Sequence, residues 1–190
     1  MWLDRVKRSY GDRLEVTWKA FQLEQANSKE GPEWKVWELP DRHQARSLVA
    51  AVAGEAARRQ GNEAFEKFHL GLLSARHGGE SRIPLNEDES MLNVAENAGL
   101  DLDRFGQDLQ DRSLLEVIAQ NHTEGAEKHG VFGTPTFVFE DGSAGYLKTF
   151  IPDEDDSVDF FEHFVALTSG RSYFGEHKRP QPPWPKGAVS

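Results

Sequence analysis

The stretch of this 190-residue chain best suited to chemistry is Gly130-Val131-Phe132-Gly133-Thr134-Pro135-Thr136-Phe137-Val138-Phe139. A proline at the mouth of an apolar strand has no N–H to give to a ladder, which places Pro135 at the strand's first position. Gly130 and Gly133 permit a sharp bend from helix into strand. The Thr134–Pro135 bond is a candidate for cis geometry, which only about 5–6% of X–Pro bonds in folded proteins adopt. The remaining polar residues offer less. The seven histidines are His43, His69, His77, His122, His129, His163 and His177, and none falls in an H-E-x-x-H or Cys/His pattern, so no metal site is expected. His69, among Phe65, Phe68 and Leu72, reads as a partly buried core histidine. His122 and His129 sit two turns apart on a helix running into the Pro135 corner and read as residues of a solvated helix face. Gly130 and Gly133 lack the spacing and the following lysine of a phosphate loop. Carboxylate pairs abound, but none adjoins a recognisable apolar pocket. Cysteine is absent altogether. That excludes disulfides, thiolate nucleophiles and Cys-ligated zinc or iron–sulfur centres within these residues. No residue can be named catalytic, and no cofactor is implied.

The elements that position this corner follow from periodicity. Trp2, Leu3, Val6 and Tyr10 recur at helical spacing before Gly11, and no capping residue precedes them. Residues 14–23 alternate Leu14, Val16, Trp18 and Ala20 against Glu15, Thr17 and Lys19, which predicts a strand. A polar loop over 24–44 is pinned by Trp34 and Trp37. From Ala45 to His129 the pattern is helical: Leu48, Val52 and Ala56 mark one helix, and Phe65, Phe68, Leu72 and Leu73 a second. Met91, Leu92, Val94 and Ala95 mark a third, ending near Gly99. A short helix spans Asp103 to Gln110, and Ser113-Leu114-Leu115-Glu116 reads as a capping box opening the last. Strand character returns at 136–139, with Asp141-Gly142 as a hairpin turn and 146–151 as the second arm. Asp153, Glu154, Asp155 and Asp156 crowd the start of a closing helix, where acid suits the macrodipole.

Composition narrows the class. Net charge is −10, with 37% hydrophobic and 28% charged residues, ordinary for a globular domain. An acidic surface repels nucleic acid and anionic membranes as main partners. No stretch approaches the roughly 20 apolar residues of a membrane span, and the charged N-terminus does not read as a signal peptide. The chain therefore reads as soluble and cytoplasmic. Domain organisation is expected as 1–170, with a helical insertion at about 45–129, followed by a Pro-rich tail, 171–190. The tail holds Arg171, Lys178, Arg179 and Lys186 against Glu176, and wraps back on its own domain or on a twin subunit, so a homodimer is possible.

Helix, strand, helical block, hairpin and helix make an α/β layout in which helices interrupt a sheet domain. With the Val131-to-Phe137 corner in that place, the chain resembles the thioredoxin superfamily, and within it the DsbA-like branch, which carries an all-helical insertion. The segment Tyr173-Phe174-Gly175-Glu176 through Lys178-Arg179-Pro180 is similar to the C-terminal extension of DsbA-like proteins from actinobacteria. The resemblance implies a bacterial thiol–disulfide oxidoreductase or protein disulfide isomerase acting on a protein or small-molecule thiol or disulfide. It implies that the corner, Gly133, Thr134 and Pro135, binds substrate, with the residue before the proline offering its backbone to a peptide.

The chain departs from that pattern. DsbA-like chains open with a strand and a Cys-x-x-Cys at the first helix, and neither is present, so redox inactivity is expected of the sequence as written. Two explanations stay open. The chain starts late, with the strand and motif upstream of Met1, which the uncapped helix and missing strand favour; or it is a thiol-free relative. Two alternatives accompany the oxidoreductase reading. One is a glutathione-dependent isomerase or transferase of the hydroxychromene-carboxylate or kappa-class type; these use a serine near the N-terminus, and Ser9 of this chain lies too late in the first helix to match it. The other is a non-catalytic peptide-binding module.

Overall fold

The computed structural model describes residues 2–78 and 82–177; the expected tail beyond residue 177 lies outside the described residues. The order is α1 (Trp2–Tyr10), α2 (Leu23–Ala26), α3 (Arg46–Arg58), α4 (Asn62–His77), α5 (Asp88–Asn97), α6 (Leu102–Leu109), α7 (Ser113–Thr123), a π-helical turn (Glu124–Lys128), β1 (Thr136–Val138), β2 (Ala144–Tyr146) and α8 (Ser157–Thr168). The content is mostly helical with one small two-stranded antiparallel sheet. The chain divides into two compact units, one formed by the segments up to Trp18 and from His129 onward, the other by Lys19–Lys128.

In the first unit α1 stops where Gly11 takes φ +55°, a conformation that costs glycine nothing. Trp2 and Val6 on α1 and Phe161 on α8 form a buried centre, joined by Leu14, Phe137, Leu147, Phe160 and Val165. The Trp2 ring lies 5.0 Å from Phe160 and edge-on to Phe161 at 6.2 Å. Its Nε1–H donates to the Ser157 carbonyl at 2.8 Å, so the one polar atom of the buried indole is satisfied. Arg5 Nη1 donates to the Pro152 carbonyl at 2.9 Å, tying α1 to the segment that leads into α8.

The second unit is built around α3, whose Leu48, Val49, Val52, Ala53, Ala56 and Ala57 are buried. Phe68 of α4 and Phe105 of α6 meet at 5.4 Å within the same core. Arg59, just past α3, donates to Asp108 and Asp111, each at 2.7 Å. Asp101 caps α6 by accepting from the Arg104 N–H at 3.0 Å.

Three sequence expectations are corrected. Residues 14–22 form no strand, and Leu23–Ala26 is a short helix. The alternation is real, since Leu14, Val16, Trp18 and Ala20 are less exposed than Glu15, Thr17 and Lys19. A strand also needs a bonded neighbour, and none is present among the described residues. Ser113 is not an N-cap: it lies inside α7, and its N–H donates to Asp111 Oδ1 at 2.8 Å. The cap role thus falls to Asp111, whose carboxyl is held down to about 2 by that backbone bond and the Arg59 guanidinium. The second hairpin arm is Ala144–Tyr146 rather than 146–151. The loop over 24–44 holds 3-10 turns at Val36–Glu38 and Arg42–Gln44. There the Gln25 side chain donates to the Trp34 carbonyl and accepts from the Val36 N–H.

Candidate functional site

The chain leaves the π-helical turn, bends at Gly130 with φ +64°, and reaches β1 through a cis Thr134–Pro135 bond. The hairpin register pairs Thr136 with Tyr146, Phe137 with Gly145 and Val138 with Ala144. The turn closes where Gly142 takes φ +83° and its N–H reaches the Phe139 carbonyl at 2.9 Å. Asp141 Oδ1 accepts from the Ser143 N–H at 2.9 Å and the Ser143 hydroxyl at 2.6 Å. These bonds hold the Asp141 carboxyl below the usual range, so it stays charged.

Which backbone groups remain open follows from that register. Leu147 N–H donates to the Pro135 carbonyl at 3.2 Å, and Phe139 N–H to the Ser143 carbonyl at 2.9 Å. In an antiparallel pair the bonded positions alternate, so 135, 137 and 139 face β2. Thr134, Thr136 and Val138 therefore aim their N–H and C=O groups away from it, and among the described residues nothing accepts or donates there. Thr134 and Pro135 are exposed. The Gly133 carbonyl is used internally, accepting from Thr136 Oγ1 at 2.7 Å.

Side chains sort onto two faces. Phe137 packs edge-on against Phe164 of α8 at 4.9 Å, and a Cβ on Gly145 would lie 2.9 Å from Thr168 Cγ2. The opposite face carries Thr136, Val138, Ala144 and Tyr146. There Phe132, 70% exposed, rests on Tyr146, 41% exposed, with ring centroids 5.1 Å apart, and Val138 is 43% exposed. A Cβ on Gly133 would sit 3.4 Å from Tyr146 Cε2, so the absent side chain lets that ring close over the loop. Of the three residues expected to form the corner, Thr134 and Pro135 are exposed and Gly133 is half-buried. Sequence reasoning missed the open positions Thr136 and Val138 and the Phe132–Tyr146 pair. The register comes from a three-residue loop over 140–142, with the Phe139 N–H on the Ser143 carbonyl; an Asp141-Gly142 two-residue turn would have paired 140 with 143, one residue off, and turned the other set of residues outward.

The other candidates fall elsewhere. His69 stacks on Phe65 at 5.4 Å, and burial, aided by the Arg58 charge, lowers its pKa to about 4. His122 corrects the expectation of a solvated helix face: it is buried, stacked on Phe21 at 4.4 Å, and its Nδ1 accepts from the Gln22 N–H at 3.1 Å. Burial and then the Lys35 charge push its pKa down, so the ring is neutral. His43 bridges Asp41 and Asp88 at 2.7 and 3.2 Å, and the Asp41 hydrogen bond raises its pKa. Among the described residues no group of three or more acidic or histidine side chains could hold a metal ion.

Over 104 residues, 55% of its length, the chain is 42% identical to the Na(+)/H(+) antiporter NhaA 1 of Salinispora arenicola. Over a stretch of the same size it is 40% identical to Na(+)/H(+) antiporter NhaA 3 of Salinispora tropica. Each match spans only 14% of the relative's length. Among the described residues no helix is long and apolar enough to cross a membrane. The model of the DSBA-like thioredoxin domain family matches residues 2–166, more than four-fifths of the chain, and the chain belongs to that family.

Proposed function

We propose that these residues supply the polypeptide-binding side of a DsbA-like thiol–disulfide oxidoreductase, holding an extended segment at Gly133–Thr134–Pro135 without exchanging disulfides themselves. One observation carries the reading: Thr134 is exposed and its N–H and C=O are bonded to nothing among the described residues. A backbone donor and acceptor at a strand's open start is what strand addition requires, and a peptide laid there gains main-chain bonds. Disulfide exchange needs a thiolate, and the 190 residues contain no cysteine. Antiport, named for the relatives, is not part of this reading, because the match occupies only 14% of their length.

Fluorescence anisotropy tests it with a fluorescein-labelled eight-residue peptide alternating valine and threonine, with a central phenylalanine and a lysine at each end. The peptide binds the 190-residue protein, and Thr134→Pro, which deletes one N–H, weakens it roughly 3- to 10-fold, the equivalent of one hydrogen bond of about 0.5–1.5 kcal/mol. Thr134→Ser retains binding. Insulin reduction by dithiothreitol runs no faster with the protein than without it. Absence of binding, equal binding by Thr134→Pro, or catalysed insulin reduction would each overturn the reading.

A further inference from the structure

We infer that β2 pairs edge to edge with β2 of a second copy of this chain, antiparallel about a two-fold axis at Gly145. This edge lies across β2 from β1, so its openness is independent of whatever occupies the side of Thr134. The register that turns Ser143, Gly145 and Leu147 toward β1 turns Ala144 and Tyr146 away from it. Their N–H and C=O groups meet no partner among the described residues, and both residues are exposed. A second strand laid antiparallel sets Ala144 opposite Tyr146 of the other copy and Tyr146 opposite its Ala144. Main-chain hydrogen bonds are exchanged at both positions, and the alanine leaves room for the facing ring.

The charges favour a second copy over other strands. From Gly130 to Asp156 the charged residues are Glu140, Asp141, Lys148 and the run Asp153, Glu154, Asp155 and Asp156. Glu140 at the turn and Lys148 at the open end of the hairpin are exposed, and neither has an ion-pair partner among the described residues. Asp141 is held by Ser143 and Ser169. Antiparallel pairing about Gly145 brings each Lys148 beside the 140–142 loop of the other copy, so one attraction is made twice. A lysine on an edge discourages most strands; one whose turn presents glutamate is admitted. The acidic run stands away from the axis: Gly145 touches Phe164 and Thr168, whereas α8 begins at Ser157, roughly 17 Å from Thr168 at 1.5 Å per residue.

α8 supplies a second match. It lies over both strands, with Phe164 against Phe137 of β1 and Gly145 of β2. With strands about 4.8 Å apart, joining two copies through β2 sets their α8 helices about 9.6 Å apart, a distance at which helices pack. Val165 faces the cluster of α1, and Glu162 accepts from the Tyr10 hydroxyl at 2.8 Å. Position 167 lies about 160° round the helix from Val165, on the flank turned from α1, and Leu167 is 43% exposed there. With Thr168 over Gly145, the Leu167 side chains of the two copies meet beside the axis.

Sedimentation velocity of the 190-residue protein reads the association. It is run from about 5 μM to about 1 mM at about 150 mM salt, where the net charge of each copy is screened but contacts a few ångström apart persist. A reversible monomer–dimer equilibrium is expected. Lys148→Glu and Glu140→Lys each weaken it about 10-fold, because each replaces two attractions by two repulsions. An equimolar mixture of the two variants restores it, since every 140–148 contact is then again between opposite charges, and that recovery shows both variants to be folded. Leu167→Lys weakens it several-fold with the far-UV circular dichroism unchanged. A protein monomeric throughout the range, a dimer that both reversals leave intact, or a mixture no tighter than its components would each overturn the inference. Oligomers that keep growing with concentration would overturn the closed two-fold, and an unaffected Leu167→Lys would overturn the α8 contact. The peptide-binding reading of Thr134 stands or falls separately, because its open groups lie on the other side of β1.

Discussion

Replacing Gly145 by alanine tests how tightly the β1–β2 hairpin is seated on α8. The new Cβ would lie 2.9 Å from Thr168 Cγ2 and 3.2 and 3.3 Å from two atoms of the Phe164 ring. Neither neighbour moves freely. Thr168 is β-branched, and its Oγ1 donates to the Phe164 carbonyl at 2.6 Å. The Phe164 ring is edge-on to Phe137 at 4.9 Å. Overpacking of this kind costs about 1–3 kcal/mol. Alanine recovers about 0.5–1 kcal/mol, because glycine is entropically costly within a strand. The net expectation is a loss of roughly 1–2 kcal/mol, a fall in Tm of about 2–8 °C for a chain of this size. Thr168→Ser removes the methyl group that clashes while keeping the hydroxyl bond, at about 0.8 kcal/mol for one carbon. In the double variant the alanine has room, so the cycle yields a favourable coupling of about 0.5–1.5 kcal/mol. Urea unfolding followed by tryptophan fluorescence measures all four corners, with Trp2 in the same buried cluster as Phe137. A Gly145→Ala protein as stable as the parent, or a coupling indistinguishable from zero, would refute this account of the packing.

Three further outcomes follow from the histidines and from Trp2. The folded pKa of His69, about 4, lies below its unfolded value near 6.5, so its contribution is present above pH 6.5 and is lost as pH falls. At 1.36 kcal/mol per unit, that is at most roughly 2 kcal/mol between pH 6.5 and 5; urea midpoints at pH 7 and 5 should converge in His69→Leu relative to the parent. His43 has the opposite sign. Its pKa is raised by Asp41 and then Asp88, so its stabilising contact is fully present below about pH 6.5 and is lost as pH rises through the folded value. An NMR titration of the ring should show a midpoint that drops in Asp41→Asn. Trp2→Phe leaves the Ser157 carbonyl without its 2.8 Å partner and should cost about 1–3 kcal/mol in urea unfolding.

Much of the architecture was legible because local rules suffice where an element buries one face. Helical spacing located α1 and the helices from α3 to α8 within a few residues, and Asp141-Gly142 marked the turn. The absence of cysteine, which excludes thiol chemistry in these residues, is a property of composition that no fold alters. What the sequence could not decide was pairing. Residues 14–22 alternate as a strand should, yet a strand exists only where another backbone completes its ladder, and that depends on distant segments. Likewise His122 reads as a surface residue on its own helix and becomes buried only because Phe21, Trp37 and the Gln22 N–H close over it. The corner at Gly133, Thr134 and Pro135 was written in residue types. That its edge stays open through Thr136 and Val138, with Phe132 laid on Tyr146, was decided by tertiary structure, because hydrogen-bond direction alternates along a strand and only the register says which residues face outward.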